Sequence, residues 1–284
     1  MLTRPRTALL SALACLAGLA ATGLLAYLSP IAHEHDAASL QGFTGLGSTR
    51  GDLVLDRIAH LGDPGSYAVF GLGLVTIALV RGRHRLAALI PVVMVLAPLT
   101  AETLKPTLAH PRVAEWLGPS QISAASWPSG HATASMTVAL LGVLAAPAVL
   151  RPLAAVAGAL FTLGVSFSIL VLHWHFPSDV VGGYFNAGMW VLLAVAILRR
   201  WPEAERARTA ERAAQATPMA AAAPALVLGG VAVLLAAAVA LDRPRALLDY
   251  LAARPSFTIS LIAISALAVL LAGVLVRAAR GPSV

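Results

Sequence analysis

The residues of this chain with chemical potential are confined to three short polar islands in an otherwise apolar sequence. The first is Lys105-Pro-Thr-Leu-Ala-His-Pro-Arg112, the second is Pro128-Ser129-Gly130-His131, and the third runs from Ser168 through His175 to Asp179. Lys105 and Arg112 suit an anionic group, and arginine's planar fork matches phosphate geometry. Taken singly, each is equally well explained by a side chain snorkelling to lipid headgroups. Pro128 to His131 reads as a helix start: Ser129 and Gly130 leave backbone N–H groups free at a positive helix terminus, which attracts an oxyanion. Gly130 permits close approach of a ligand to the backbone, and His131 beside it is placed to donate a proton.

His175 precedes Pro177, a residue suited to opening a helix, and Asp179 falls in the first turn of that helix. This spacing lets the carboxylate reach one ring nitrogen of His175, fixing its tautomer and stabilising a cation on the ring. An oriented neutral imidazole beside bound phosphate is a nucleophile. An interfacial histidine followed by a helix-start aspartate accounts for the same residues without chemistry.

The surroundings decide how these islands are presented. Of 284 residues, 58% are hydrophobic and 12% are charged, with a mean hydropathy of +0.82. No water-soluble globule of this size tolerates such a surface, so the chain reads as an integral membrane protein. Polar clusters at membrane depth are costly and mark function by default. Cys15 is the single cysteine, which excludes an internal disulfide and a cysteine-based metal site. The net charge of +7 comes from short basic clusters between apolar runs. That is a topology signal, not the stripe of a nucleic-acid binder. The abundance of Ala, Arg, Gly and Pro suits a GC-rich genome, and the expected setting is a bacterial cell membrane.

Runs near 20 apolar residues span a bilayer. Eight segments qualify: Thr7 to Leu28, Pro64 to Val80, Leu86 to Leu104, Gly130 to Leu150, Leu153 to Leu172, Val180 to Leu198, Ala220 to Leu241 and Phe257 to Val276. The second is the shortest. The first, after Arg4 and Arg6, is longer than a cleaved signal's apolar region and fits a retained helix better. Threaded alternately, the segments put Arg4, Arg6, the Arg81 to Arg85 loop, Arg151, the Arg199 to Arg212 cluster, Arg277 and Arg280 on one side. By the positive-inside rule that side is cytoplasmic, so all three islands face outward. Arg243, Arg245 and Arg254 dissent, offset by Asp242 and Asp249.

Ser29 to Gly62 is expected as an outer loop whose later part, Asp52 to Leu61, forms a short interfacial helix. Its earlier part holds His33-Glu-His-Asp36, residue types that bind metals. With no third partner cluster in the sequence, a solvated loop is the preferred reading. Residues 1–198 are expected to form a six-span core, 199–217 a cytoplasmic linker with Glu205, Arg206, Glu211 and Arg212 in intrahelical pairs, and 218–284 a transmembrane hairpin. Glu102, one turn before Lys105, reads as a structural ion-pair partner. Gly182, Gly183 and Asn186 suit close helix packing.

Together the islands resemble the signature of the type 2 phosphatidic acid phosphatase (PAP2) superfamily: lysine, six residues, Arg-Pro; Pro-Ser-Gly-His; and Ser-Arg, five residues, His, three residues, Asp. Lys105 and Arg112 keep the first spacing, Pro128 to His131 match the second part fully, and Ser168, His175 and Asp179 match the third. The resemblance covers about Leu61 to Leu198. It implies an all-α polytopic bundle with a six-helix core. His175 would attack phosphorus to form a phosphohistidine, held by Asp179, while His131 protonates the leaving oxygen. Lys105, Arg112, Ser129 and the Gly130 N–H would bind phosphate oxygens, with no metal or other cofactor. The partners implied are the bilayer and a lipid phosphate or diphosphate, such as a polyprenyl phosphate, and not nucleic acid.

Two positions depart from the signature. Val113 replaces the proline of the first part. Ile169 replaces the arginine of the third, and losing one such donor costs on the order of 10² to 10³ in kcat. His110 and His173 are, by position alone, the nearby candidates to supply part of the missing charge. A lipid phosphotransferase is the neighbouring alternative. A noncatalytic binder or transporter with a relict phosphate pocket is the alternative of a different class.

Overall fold

The computed structural model describes residues 5–200, 229 and 244–279. Among these the protein is all-α. The elements that matter are α1 (Pro5–Leu28), α2 (Pro30–Thr44), α3 (Thr49–Ala59), α4 (Pro64–Val80), α5 (His84–Thr107), α6 (Gly130–Ala145), α7 (Arg151–Val171), α8 (Pro177–Arg200), α9 (Pro244–Ala253) and α10 (Pro255–Ala279). Of the expected span Ala220 to Leu241 only Gly229 is described, and the paired charges of 205–212 lie outside the described residues.

Among the described residues, five helical segments can cross a bilayer by length and composition: Pro5–Leu28, His84–Thr107, Ala148–Val171, Pro177–Arg200 and Pro255–Ala279. A sixth exists if α3 and α4, bent by 55° at Asp63, count as one broken span. The chain is therefore a multi-pass helical membrane protein; one of the eight hydropathy segments, Ala220 to Leu241, falls almost wholly outside the residues this count covers. The expected span Gly130 to Leu150 stops early, at Ala145, after 16 residues. Ala146 turns extended (ψ 147°) because Pro147 follows it and disfavours helix in the residue before. At about 1.5 Å per residue, α6 reaches only about 24 Å.

α6 nevertheless forms the centre. Twelve of its residues are buried, and it packs against α4, α5, α7, α8 and α10. Its C-terminal carbonyls are closed by Arg81, whose Nη1 donates to Ala145 O at 2.6 Å, and by Arg83, which donates to Leu144 O. At the same end Arg151 and Arg199 donate to Ala279 O and Ala278 O of α10. Cations at helix C-termini are favourable there, since they satisfy carbonyls and oppose the helix dipole.

Small residues let the helices approach. α1 lies along α8: a Cβ on Gly18 would stand 2.7 Å from the Phe185 ring, and one on Gly188 would stand 3.1 Å from Cys15 Sγ. Asn186 Nδ2 donates to Ala97 O at 2.8 Å and Trp190 Nε1 to Thr100 Oγ1 at 3.0 Å, stitching α8 to α5. The C-terminal helix α10 packs on α2, α6, α7 and α8, burying Phe257 edge-on to Phe43 at 4.8 Å.

The expected loop from Ser29 is a helix instead. Ser29 caps it, accepting from Ala32 N–H at 3.3 Å, and Pro30 occupies the first helical position. The face of α2 that turns inward carries Asp36, Ser39, Leu40 and Phe43. Asp36 is 5% exposed, so the solvated-loop reading of His33 to Asp36 is corrected. A metal reading gains nothing: Glu34 points outward, and among the described residues no three His, Cys, Asp or Glu side chains are grouped to hold an ion. The short amphipathic helix expected at Asp52 to Leu61 is α3.

Candidate active site

The C-terminal ends of α5 and α7 and the N-terminal ends of α6 and α8 meet at the end of the bundle opposite the arginine caps. After α7 the chain reverses in a Schellman-type closure: Trp174 N–H donates to Ile169 O at 2.9 Å and His173 N–H to Leu170 O at 3.2 Å. His173 takes the left-handed conformation (φ 61°) that this closure needs. The reversal delivers His175 to the start of α8. There Asp179 Oδ2 accepts from Phe176 N–H at 3.0 Å and lies 3.2 Å from His175 Nδ1. A carboxylate partner makes Nδ1 the protonated nitrogen, so Nε2 carries the lone pair.

The α6 terminus is locked to this turn. Ser129 N–H donates to Asp179 O at 2.9 Å, and Gly183 provides the clearance, since a Cβ there would stand 2.8 Å from Ser129 O. Ser129 is fully buried, and its hydroxyl caps α6 by accepting from Ala132 N–H at 3.3 Å. At Gly130 a Cβ would lie 3.5 Å from Lys105 Nζ, so the ammonium sits close over this glycine. Lys105 is held by Glu102 Oε1 at 2.5 Å, as the i, i+3 spacing suggested. The His131 ring centroid is 6.3 Å from that of His175 and 5.4 Å from that of Trp174. His131 Nε2 is 3.1 Å from Asp63 Oδ1.

The structure thus brings Lys105, Ser129, Gly130, His131, His175 and Asp179 together. Arg112 is nearby but turned inward, with its side chain 3% exposed. Its Nη1 donates to Asp36 Oδ2 at 3.2 Å and Ser178 Oγ at 2.9 Å, and its Nη2 donates to Ser126 Oγ at 2.6 Å and to Asp179 Oδ1. The Phe176 ring covers the guanidinium at 4.4 Å and Tyr27 at 5.3 Å. Burial disfavours the charge on Arg112, but Asp179 and Asp36 outweigh it and raise its pKa. Burial pushes the Asp36 carboxyl up to about 6, against the pull of Arg112.

Ile169 is fully buried in the apolar core. Of the two histidines expected to supply part of the missing charge, His110 lies edge-on to Tyr27 and His173 edge-on to Trp116, at 6.1 and 6.4 Å. Desolvation also lowers the pKa of His173 despite Asp52, which works against its carrying a cation.

A family model described as the PAP2 superfamily matches residues 85–203. This segment is a PAP2 superfamily domain. No curated protein and no solved structure matches the chain. The PAP2 match covers α5 to α8 and hence all three islands. It does not cover Asp36 or Asp63, the two carboxylates that bind Arg112 and His131. Both were missed from sequence, although Ser29-Pro30 and Asp63-Pro64 are helix-start signals. Asp63 stands at the N-cap of α4 but makes no capping bond, so its carboxylate is free to reach the histidine.

Proposed function

We propose that the protein is a membrane phosphatase that hydrolyses a lipid phosphate or diphosphate through a phosphohistidine at the extracytoplasmic face. The observation that carries this reading is the opposition of two imidazoles at the helix mouths: His175, with Nδ1 on Asp179, and His131, 6.3 Å away centroid to centroid. His175 Nε2 attacks phosphorus and forms the P–N bond. The P–O bond to the lipid breaks, and the leaving oxygen takes the proton of protonated His131. Water then attacks phosphorus, gives a proton to His131 and releases His175 with inorganic phosphate. Lys105 and the Gly130 N–H stand beside that phosphorus, where equatorial oxygens develop charge. Asp179 stabilises the cation on His175. The arginine caps lie at the opposite end of the bundle, which supports an outward-facing site.

A second reading rests on Ile169 and Arg112. With Ile169 in the core and four Arg112 donors taken, Lys105 is the one motif cation over Gly130. A noncatalytic binder would look the same. Purified protein in detergent, assayed for phosphate release from polyprenyl phosphates, polyprenyl diphosphates, phosphatidic acid and phosphatidylglycerol phosphate, separates the two. Vanadate-sensitive release that disappears in His175→Ala supports the phosphatase. Vanadate binding with no release from any lipid supports the binder, and release that survives His175→Ala removes the proposed nucleophile.

A further inference from the structure

We propose that Asp36 is a positioning residue for the His175 nucleophile, acting from α2 through Arg112 and Asp179. This rests on the phosphatase reading for its kinetic part, but the relay itself is a matter of geometry. Asp36 is nine-tenths buried or more, at 5% exposure, and every polar contact of its carboxylate points at the site. Oδ1 accepts from Ser178 N–H at 2.9 Å, and Oδ2 accepts from Ser178 Oγ–H at 2.6 Å and Arg112 Nη1 at 3.2 Å. The other edge of Arg112 donates to Asp179 Oδ1, and Asp179 Oδ2 faces His175 Nδ1 at 3.2 Å. Four side chains from α2, the loop after α5, α8 and the turn before it therefore form one continuous relay.

Charge gives the relay a purpose. One guanidinium shared between two carboxylates leaves a buried excess of one negative charge when both are ionised. A cation arriving on His175 during attack neutralises that excess, in a setting too dry for water to do so. Without Asp36, Arg112 would belong to Asp179 alone, and the carboxylate would be a weaker partner for the imidazole. The aromatic cover from Phe176 and Tyr27 stops the guanidinium from swinging out to replace the lost contact. Asp36 also fastens Ser178 by both backbone and hydroxyl, one residue before Asp179.

The test is Asp36→Asn in the full-length protein, with two readouts. The first is steady-state kinetics on the lipid that the wild type hydrolyses. The second is the 15N spectrum of His175, which reports the fraction carrying its proton on Nδ1. The expected result is a fall in kcat of about tenfold to a hundredfold, typical of losing a partner one shell out, with KM little changed and a reduced Nδ1–H fraction. In an Asp179→Asn background the same substitution should add little, because both act on one imidazole. A folded Asp36→Asn protein with unchanged kcat or unchanged tautomer overturns the proposal, as does an undiminished effect in the Asp179→Asn background. Should Asp36→Asn not fold, Ser178→Ala is read by the same criteria. If the wild type hydrolyses no lipid, the phosphatase reading fails, and the tautomer fraction alone decides the relay.

Discussion

His131 and His175 face each other with ring centroids 6.3 Å apart, and each imidazole is held by its own carboxylate. The two carboxylates differ in setting: the Asp179 side chain is fully buried, whereas that of Asp63 is 41% exposed. A buried partner fixes a nucleophile's tautomer, while a half-exposed one leaves its histidine free to exchange protons with solvent. The asymmetry fits the roles proposed for the two rings.

If His131 is the acid, its loss must matter most for poor leaving groups. His131→Ala is expected to lower kcat by about 10² to 10⁴ on an alkyl lipid phosphate. The deficit should shrink on an aryl phosphate, whose leaving oxygen departs without a proton. Comparing the two substrates in one preparation checks this, and an equal deficit would assign His131 to binding.

Asp63 favours the protonated form of the ring it touches. Asp63→Asn should therefore make the rate decline at lower pH on the alkaline limb than in the wild type, with little change on the acid limb. The measurement is kcat/KM against pH on one lipid substrate. Superimposable profiles would reduce Asp63 to a loop contact.

Asp36 links folding to pH. Its folded pKa of about 6 lies above the ordinary 3.8. Between these values the folded state keeps a proton that the unfolded state has lost. The contribution is present below the unfolded value and is lost as pH rises through about 6, on the order of 3 kcal/mol at most. The Tm of Asp36→Asn relative to wild type should accordingly improve from pH 4 to pH 7, as read by thermal unfolding in detergent. A difference independent of pH would refute it.

Ile169→Arg restores the motif residue but places a cation in the apolar core where Ile169 is fully buried. Burying an unpaired charge there is expected to cost several kcal/mol, lowering Tm and yield without raising turnover. A stable variant with higher kcat would mean that the side chain reaches the phosphate instead.

Much of the site was legible because local chemistry is written locally. Pro177 opens α8, Asp179 lies in its first turn, Ser129 caps α6 and Glu102 pairs with Lys105, all within four residues of their partners. The α2 helix was legible in principle at Ser29-Pro30. It was passed over because His33-Glu-His-Asp36 is polar enough to suggest solvent, and only packing against Ser178 and Arg112 makes Asp36 a buried residue.

The sequence by itself determined the class of protein and the three places where its polar side chains gather. Composition set the solvent that the chain must face, and motif spacing put imidazoles, cations and a carboxylate at helix ends. Tertiary structure alone decided that Arg112 turns inward, meeting Asp36 across 76 residues and Asp179 across 67. It likewise decided that His131 takes Asp63, 68 residues earlier, as its partner. The reason is physical: a buried charge must find its counter-charge wherever the packed helices bring one, and no local periodicity encodes which distant carboxylate that will be.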